Sequence, residues 1–285
     1  MVVRVLVCVV VGCAAALAPV RGRARRSVRM TASAIDAASQ WTSFVEHQAK
    51  GEWFCGRTSY DADGVVADGD EAIAIVTLAP SSDGSTVEHA LKVPATAVAS
   101  AGCDRCASTI EWRAIPLGAY TSGDLGRFLV NGNAAVVGPT LLRSGGCSVE
   151  VALAESGARV ALTALYVPVW SDGGGGGPPD ALKLRLAVLS REVADGAGVF
   201  PDADATPDLY RATPAMTWGD GDGDGLLAVD APGGIAFRVA AAIEPDVPAP
   251  VQLRWAPADG AMTRGADCVL GALPGPPRLD AFVAT

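Results

Sequence analysis

The chain has 285 residues, half of them hydrophobic, with 31 acidic and 22 basic side chains and a formal charge of −9 at pH 7. This composition can bury a core and excludes a disordered acidic chain. Residues 1–30 contain six arginines and no acidic residue, so the remainder is more acidic still. That balance argues against nucleic acid or an anionic membrane surface as the partner.

The first thirty residues predict a targeting sequence in two parts. An apolar run over residues 5–18 follows Arg4 and ends in small residues, as a secretory signal peptide does, and it is short for a transmembrane span. Residues 19–30 are rich in arginine and free of acidic residues, which is typical of a transit peptide. We predict a signal peptide over 1–18, a transit segment over 19–30, and no transmembrane segment in the mature chain.

The junction between these two parts indicates a compartment. Residues 14–19, AAALAP, resemble the ASAFAP junction of bipartite plastid presequences in algae with secondary plastids, with Leu17 in place of the usual Phe. The resemblance implies cleavage near Met30 or Thr31 and a location in the plastid stroma. An ordinary signal peptide followed by a basic pro-segment is the alternative.

Cysteine usage agrees with a reducing compartment. Five of the seven cysteines follow the presequence, an odd number without regular spacing, which does not favour a secreted disulfide framework. They are Cys55, Cys103, Cys106, Cys147 and Cys268.

Residues 41–64 predict a helix end, a strand and a turn. Apolar side chains recur at helical spacing up to Val45, and Lys50-Gly51 is typical of a helix C-terminus, where glycine takes the left-handed cap. From Trp53 to Tyr60 alternate side chains point to opposite faces, as in a strand. Asp61-Ala62-Asp63-Gly64 has the residues of a turn.

The rest of the chain predicts short strands separated by turns. Turns this frequent, with β-branched residues between them, favour an antiparallel sandwich or barrel over βαβ units. Asn131-Gly132 is the strongest hairpin signal. The predicted strands cover 71–78, 86–93, 109–115, 127–131, 134–137, 148–153, 159–170, 181–193, 226–229, 235–242, 251–255 and 266–270.

A run of five glycines and two prolines within residues 171–179 predicts a linker or a long loop. We therefore predict two all-β modules, residues 33–170 and residues 180–285.

Two motifs could carry chemistry. Cys103 and Cys106 form a lone Cys-x-x-Cys, which fits an incidental loop pair, a dithiol switch or half of a zinc site. The alternating Asp and Gly of residues 220–225 imitate a calcium loop, but Ala231 stands where that loop needs a bidentate Glu. We interpret it as a solvated acidic hairpin loop.

Catalytic signals are few. His47 and His89 are the two histidines, and the chain has neither a Gly-x-Ser-x-Gly elbow nor a phosphate-binding loop ending in Gly-Lys-Ser/Thr. We predict a protein that is not an enzyme, with no catalytic residue, metal ligand or cofactor.

Gly51-Glu52-Trp53 predicts a tryptophan that closes one end of a small barrel. An arginine from a later strand often stacks on such a tryptophan, and the candidates are Arg113, Arg143 and Arg159.

This stretch resembles the N-terminal signature of a lipocalin-like family of cyanobacteria and plastids that includes the chloroplast ATP synthase biogenesis factors. Residues 184–192, 231–235, 251–255 and 263–264 resemble later segments of that family. The residues that carry the resemblance are Trp41, Phe44, Gly51, Trp53, Gly56, Gly64, Pro232, Gly234 and Trp255.

The resemblance implies two lipocalin-like antiparallel β-barrels with a short helix before the first strand. It also implies a stromal assembly factor, not an enzyme, that binds subunits of the catalytic head of the ATP synthase. Residues 52–60 are also similar to the Trp-x-x-x-Arg-Thr strand of S-type bilin lyases, so a bilin lyase or another carrier of a small apolar ligand is the alternative. On that alternative, Arg57 and Tyr60 are the candidate ligand contacts.

Overall fold

The structure is a computed structural model. It describes residues 28–31, 37–67, 72–95, 111–124, 128–155, 157–170, 179–194, 225–244, 247–256, 263–270 and 278–284. These residues are mostly antiparallel β-sheet with one short α-helix, α1 (Ala37–His47). The strands are β1 (Val28–Thr31), β2 (Gly51–Tyr60), β3 (Ala72–Pro80), β4 (Thr86–Pro94), β5 (Trp112–Thr121), β6 (Phe128–Asn131), β7 (Ala134–Leu141), β8 (Cys147–Glu155), β9 (Ala158–Val169), β10 (Ala181–Ala194), β11 (Leu226–Ala231), β12 (Ile235–Ala240), β13 (Ala242–Ile243), β14 (Ala249–Trp255), β15 (Thr263–Leu270) and β16 (Arg278–Ala284).

The larger sheet curls into a half-barrel. Its strand order is β5-β4-β3-β2-β10-β9-β8-β7-β6, with β13 paired to β10. The two edge strands, β5 and β6, are consecutive in the chain, and Tyr120 of β5 lies in the same buried cluster as Val130 of β6. The edges therefore approach each other at the end of the sheet where α1 lies. We call it the closed end, where β2 begins and β10 finishes; the opposite end is the open end.

The smaller sheet packs on the convex face of the half-barrel. Its order is β1-β16-β15-β14-β12-β11, and β14 and β15 lie over β8. Tyr60 meets Phe237 edge-on, with ring centroids 5.4 Å apart, and the Tyr166 hydroxyl donates to the Ala240 carbonyl at 3.0 Å. Apolar side chains from both sheets form one continuous core, which holds the layers together by hydrophobic burial.

Strand β10 joins the two predicted modules. Its neighbours are β2 and β9, so a strand that follows residues 171–179 lies between strands that precede them. The predicted linker therefore does not divide the strands into two sheets. The all-β architecture with a short helix before β2 is confirmed, but two separate barrels are not.

Two strands were not predicted. β16 pairs with β15 on one side and with β1 on the other. Residues 28–31, assigned above to the end of the presequence, form β1, and the predicted cleavage site near Met30 or Thr31 falls within this strand.

The helix plugs the closed end. Phe44 packs beside Tyr120 and Trp53, and the Trp41 indole donates to the Gly84 carbonyl at 3.0 Å. The prediction that Gly51 caps this helix is wrong, because α1 ends four residues earlier and Gly51, with a φ of 95°, opens β2 instead. No helix among the described residues has the length and apolar character needed to cross a bilayer.

Candidate functional site

The concave face of the half-barrel carries charged side chains, whereas its convex face is apolar. Alternation along β2 places Trp53, Cys55 and Arg57 on the concave face and Tyr60 on the convex face. β4, β8, β9 and β10 add His89, Glu150, Arg159 and Glu192 to the concave face, at the middle of the half-barrel. We call Arg57, His89, Glu150, Arg159 and Glu192 the polar layer.

Arg159 is the centre of the polar layer. Its guanidinium donates from Nη1 to Glu192 at 2.5 Å, from Nη2 to Glu150 at 2.6 Å and from Nε to the Gln48 side chain at 2.9 Å. The Arg159 and Glu192 side chains are only 4% and 1% exposed, but Glu150 keeps 27% of its exposure. All three guanidinium nitrogens therefore have partners, and one partner carboxylate faces accessible space.

The two carboxylates respond differently to their surroundings. Burial raises the pKa of Glu192, and the charge of Arg159 offsets this only in part. Burial acts in the same sense on Glu150 and is the largest single influence, but the charge and hydrogen bond of Arg159, with the neighbouring positive charges, together outweigh it and hold the pKa of Glu150 below its usual value. Glu150 is therefore the more firmly ionised of the two.

His89 adds a neutral group on the opposite wall. Its Nδ1 lies 3.0 Å from the Tyr120 hydroxyl, and the two rings stack with centroids 5.5 Å apart. Burial lowers the pKa of His89, and the Glu150 charge offsets this only in part. At neutral pH this imidazole is uncharged and its second nitrogen can take part in a hydrogen bond.

Arg57 differs from Arg159 in having no ion pair among the described residues. Its Nε atom is buried and has no hydrogen-bond partner there. The positive charge of Arg57 nevertheless helps to lower the pKa values of Glu150 and Glu192. The half-barrel thus contains one saturated arginine and one unsaturated arginine.

Accessibility changes along the half-barrel axis. At the closed end the concave side chains are buried, and these include Trp53, Leu78, Val87, Tyr120, Val130 and Ala135. Beyond the polar layer they are only half-buried although they point inward, and these include Ser59, Val93, Thr163, Leu165 and Leu186. The concave face is therefore filled at one end and accessible at the other.

An apolar rim surrounds the open end. Among the described residues, seven of the eight large hydrophobic side chains that are exposed lie in turns or strand segments at this end. They are Val65, Val66, Ile115, Leu117, Leu141, Leu142 and Val167. Exposed apolar side chains mark a binding region where they form a contiguous patch.

The structure separates the two predicted ligand contacts. Arg57 lies in the half-barrel, whereas Tyr60 is 5% exposed and packs between the sheets. Of the three arginines proposed to stack on Trp53, Arg159 is linked to Trp53 through Gln48. The Trp53 indole donates to the Gln48 carbonyl at 2.9 Å, and Arg159 donates to the Gln48 side chain.

The other signature residues are parts of the framework. Trp255 is 1% exposed in the core between the sheets. Gly64 has a φ of 81°, and a Cβ there would lie 3.0 Å from Leu227, so this turn packs closely on β11. Pro232 and Gly234 occupy the turn between β11 and β12. None of these four residues lies in the polar layer.

The motifs that were predicted to carry chemistry are not among the described residues. Cys103, Cys106 and residues 220–224 lie outside the described residues. Burial raises the pKa of Cys55 well above its usual range, that of Cys147 to about 11 and that of Cys268 to about 12. Within the described ranges, no group of three or more His, Cys, Asp and Glu is placed to hold a metal ion.

Sequence reasoning missed Glu150, Glu192 and the role of His89. A charged residue at an inward position of an otherwise apolar strand was the available signal, as in Val149-Glu150-Val151. A pocket of about 230 Å³ lies at the closed end and is lined by His47, Lys50 and Glu155 among others. The Glu155 carboxylate of this pocket is already bound by Arg264. The pocket therefore offers fewer groups to a ligand than the polar layer does.

Fold and site together define an all-β protein with a curled sheet, a plugged end and a charged interior. No protein-family model and no curated protein matches the chain. A solved structure of a protein of unknown function, from the DUF3598 family of Nostoc punctiforme PCC 73102, is similar to it. The identity is 14% and the TM-score 0.50, over 86% of this chain and 98% of that one. At this identity the likeness shows the fold alone.

Proposed function

We propose that this chain is a lipocalin-like binding protein, not an enzyme, which holds a small ligand with an apolar body on the concave face of its half-barrel. The observation that carries the proposal is the axial gradient: inward side chains are buried at the closed end and accessible at the open end. Ligand sites are concave and mostly apolar, with a few polar groups that fix orientation.

The half-barrel offers both apolar surface and polar groups. The apolar surface lies beyond the polar layer and comes from Val93, Leu165 and Leu186. The polar groups come from Arg57, within the layer, and from Thr163, beside it. α1 and Trp53 seal the far end, so a ligand would enter from the rim.

Fluorescence of a neutral apolar probe, 1-N-phenylnaphthylamine, tests this proposal. We expect saturable binding to the wild-type chain and loss of binding in Leu165→Trp, which fills the interior. Val247→Trp, a matched addition at an exposed position outside the larger sheet, should bind like the wild type. Equal binding by all three proteins, or none by the wild type, would refute it. In the same format, a saturable red-shifted absorbance band with a bilin would favour the bilin-lyase alternative.

The apolar rim favours a second candidate, assembly of the catalytic head of the ATP synthase by protein binding in the plastid stroma. This follows from the family resemblance, and an exposed apolar rim is the kind of surface that could shield a partly assembled subunit.

A pull-down from plastid extract tests the second candidate. We expect wild-type bait to recover head subunits and Leu141→Asp to lose them, with Val247→Asp as the control for a new charge at an exposed valine. Recovery of no head subunit, together with normal ATP synthase levels in a knockout, would count against it. So would a fluorescent fusion to residues 1–30 that does not reach the plastid.

A further inference from the structure

The polar layer also restricts the chemistry of the ligand. Arg159 engages both Glu150 and Glu192, and its third nitrogen is held by Gln48. Among the described residues, neither carboxylate of the polar layer is therefore left to pair with Arg57, whose buried Nε has no hydrogen-bond partner there.

Leaving a guanidinium partly buried without an acceptor is unfavourable, because its N–H groups lose water and gain nothing in return. An anionic oxygen would supply that acceptor, and arginine binds a carboxylate in bidentate fashion better than any other side chain does. His89 lies in the same layer, and when its Nδ1 accepts from the Tyr120 hydroxyl its Nε2–H can donate to a ligand oxygen, whereas the Thr163 hydroxyl already donates to Glu150 at 3.4 Å.

We propose that the ligand is an amphipathic carboxylate whose charged end binds Arg57 and whose apolar body runs toward the open end along Val93, Leu165 and Leu186. This inference rests on the proposed ligand-binding function and deepens it. A cationic ligand would meet Arg57 with like charge, and a neutral one would leave Arg57 without an acceptor.

The remaining groups near the site agree with this charge preference. Two arginines face two glutamates in the polar layer, and His89 is uncharged there. Both glutamates are engaged by Arg159, so the charge that remains for a ligand to meet is the guanidinium of Arg57.

Competition against the neutral probe tests the inference on the full mature chain. Dodecanoate, dodecanol and dodecyltrimethylammonium share one apolar body and differ in the head group. We expect dodecanoate to displace the probe at about tenfold lower concentration than dodecanol, as one charge-assisted contact implies. The dodecyltrimethylammonium cation should be the weakest of the three.

Arg57→Gln assigns the preference to this side chain. The variant should still bind the neutral probe but lose the advantage of dodecanoate over dodecanol, and Arg57→Lys should restore part of it. Arg143→Gln, an exposed arginine in the turn between β7 and β8, is the matched control and should keep the full preference.

The outcomes separate the two proposals. If the probe binds but dodecanoate and dodecanol compete equally, or if Arg57→Gln keeps the preference, the carboxylate inference is wrong and the binding function stands. If the probe does not bind to the wild-type chain, the binding function itself fails.

Discussion

The closed and open ends of the half-barrel use the same strands in opposite ways. At the closed end, Trp53 and Phe44 are almost fully buried and α1 fills the interior. At the open end, inward side chains such as Leu165 stay half-buried and Arg57 has no ion pair among the described residues. The polar layer divides the two. The difference shows that the buried contacts of the concave face are concentrated at one end of this sheet, whereas the other end stays accessible.

Trp53→Ala should have the largest effect on the stability of the folded chain. Removal of a fully buried indole leaves a cavity and also removes the hydrogen bond to Gln48, so we expect a loss of about 3–5 kcal/mol in the free energy of unfolding. Leu141→Ala, at a 70% exposed position of the open end, should change it by less than about 0.5 kcal/mol. Urea denaturation measures both, and equal losses would contradict the division between the ends.

Arg159→Met tests the polar layer itself. It leaves Glu192 buried without its cation, and breaking a buried pair costs about 3–5 kcal/mol. We expect a value near the lower limit, about 3 kcal/mol at neutral pH, because the raised pKa of Glu192 lets this carboxyl take up a proton. Denaturant unfolding checks this value, and a change below about 1 kcal/mol would show that the ion pair is not important for stability.

The loss of unfolding free energy in Arg159→Met should depend on pH, and this dependence tests whether the buried Glu192 causes the loss. The folded pKa of Glu192 exceeds its ordinary value of 4.5, so above pH 4.5 the folded chain binds more protons than the unfolded chain, and the Glu192 contribution to stability falls as the pH rises. Loss of Arg159 raises this pKa further and also removes the positive charge that lowers the pKa of His89. Both changes make the deficit of the variant in the free energy of unfolding smaller at low pH.

We therefore expect the deficit of Arg159→Met in the free energy of unfolding to be larger at pH 8 than at pH 5. Loss of Arg159 also removes the charge that lowers the pKa of Glu150, so proton uptake by Glu150 in the variant acts in the same direction. A deficit that does not depend on pH would exclude Glu192 as its source.

Arg57→Gln should have a smaller effect on stability than Trp53→Ala or Arg159→Met. Arg57 makes no ion pair among the described residues, so its loss removes only a weak interaction with Glu150 and Glu192, and we expect a change below about 1 kcal/mol. The same substitution should abolish the preference for a carboxylate ligand. If the loss of unfolding free energy is as large as that of Arg159→Met, the main role of Arg57 is to stabilise the fold.

Much of the fold could be predicted from local patterns. Frequent turns between β-branched runs indicated antiparallel strands, and Asn131-Gly132 correctly placed the hairpin between β6 and β7. Alternation along β2 already put Arg57 on the face of Trp53 and Tyr60 on the opposite one. The proposal that Arg57 and Tyr60 share a ligand did not follow this alternation.

What the sequence by itself determined is most of the strands, the helix before β2 and the side chains that share each strand face, because these depend on neighbours a few residues apart. Only the tertiary structure placed β10 between β2 and β9, and it thereby brought Glu192 to Arg159 and Glu150. Pairing between distant strands leaves no local pattern, since it is decided by which faces can be buried together. For the same reason, the difference between a saturated Arg159 and an unsaturated Arg57 is visible only in the folded chain.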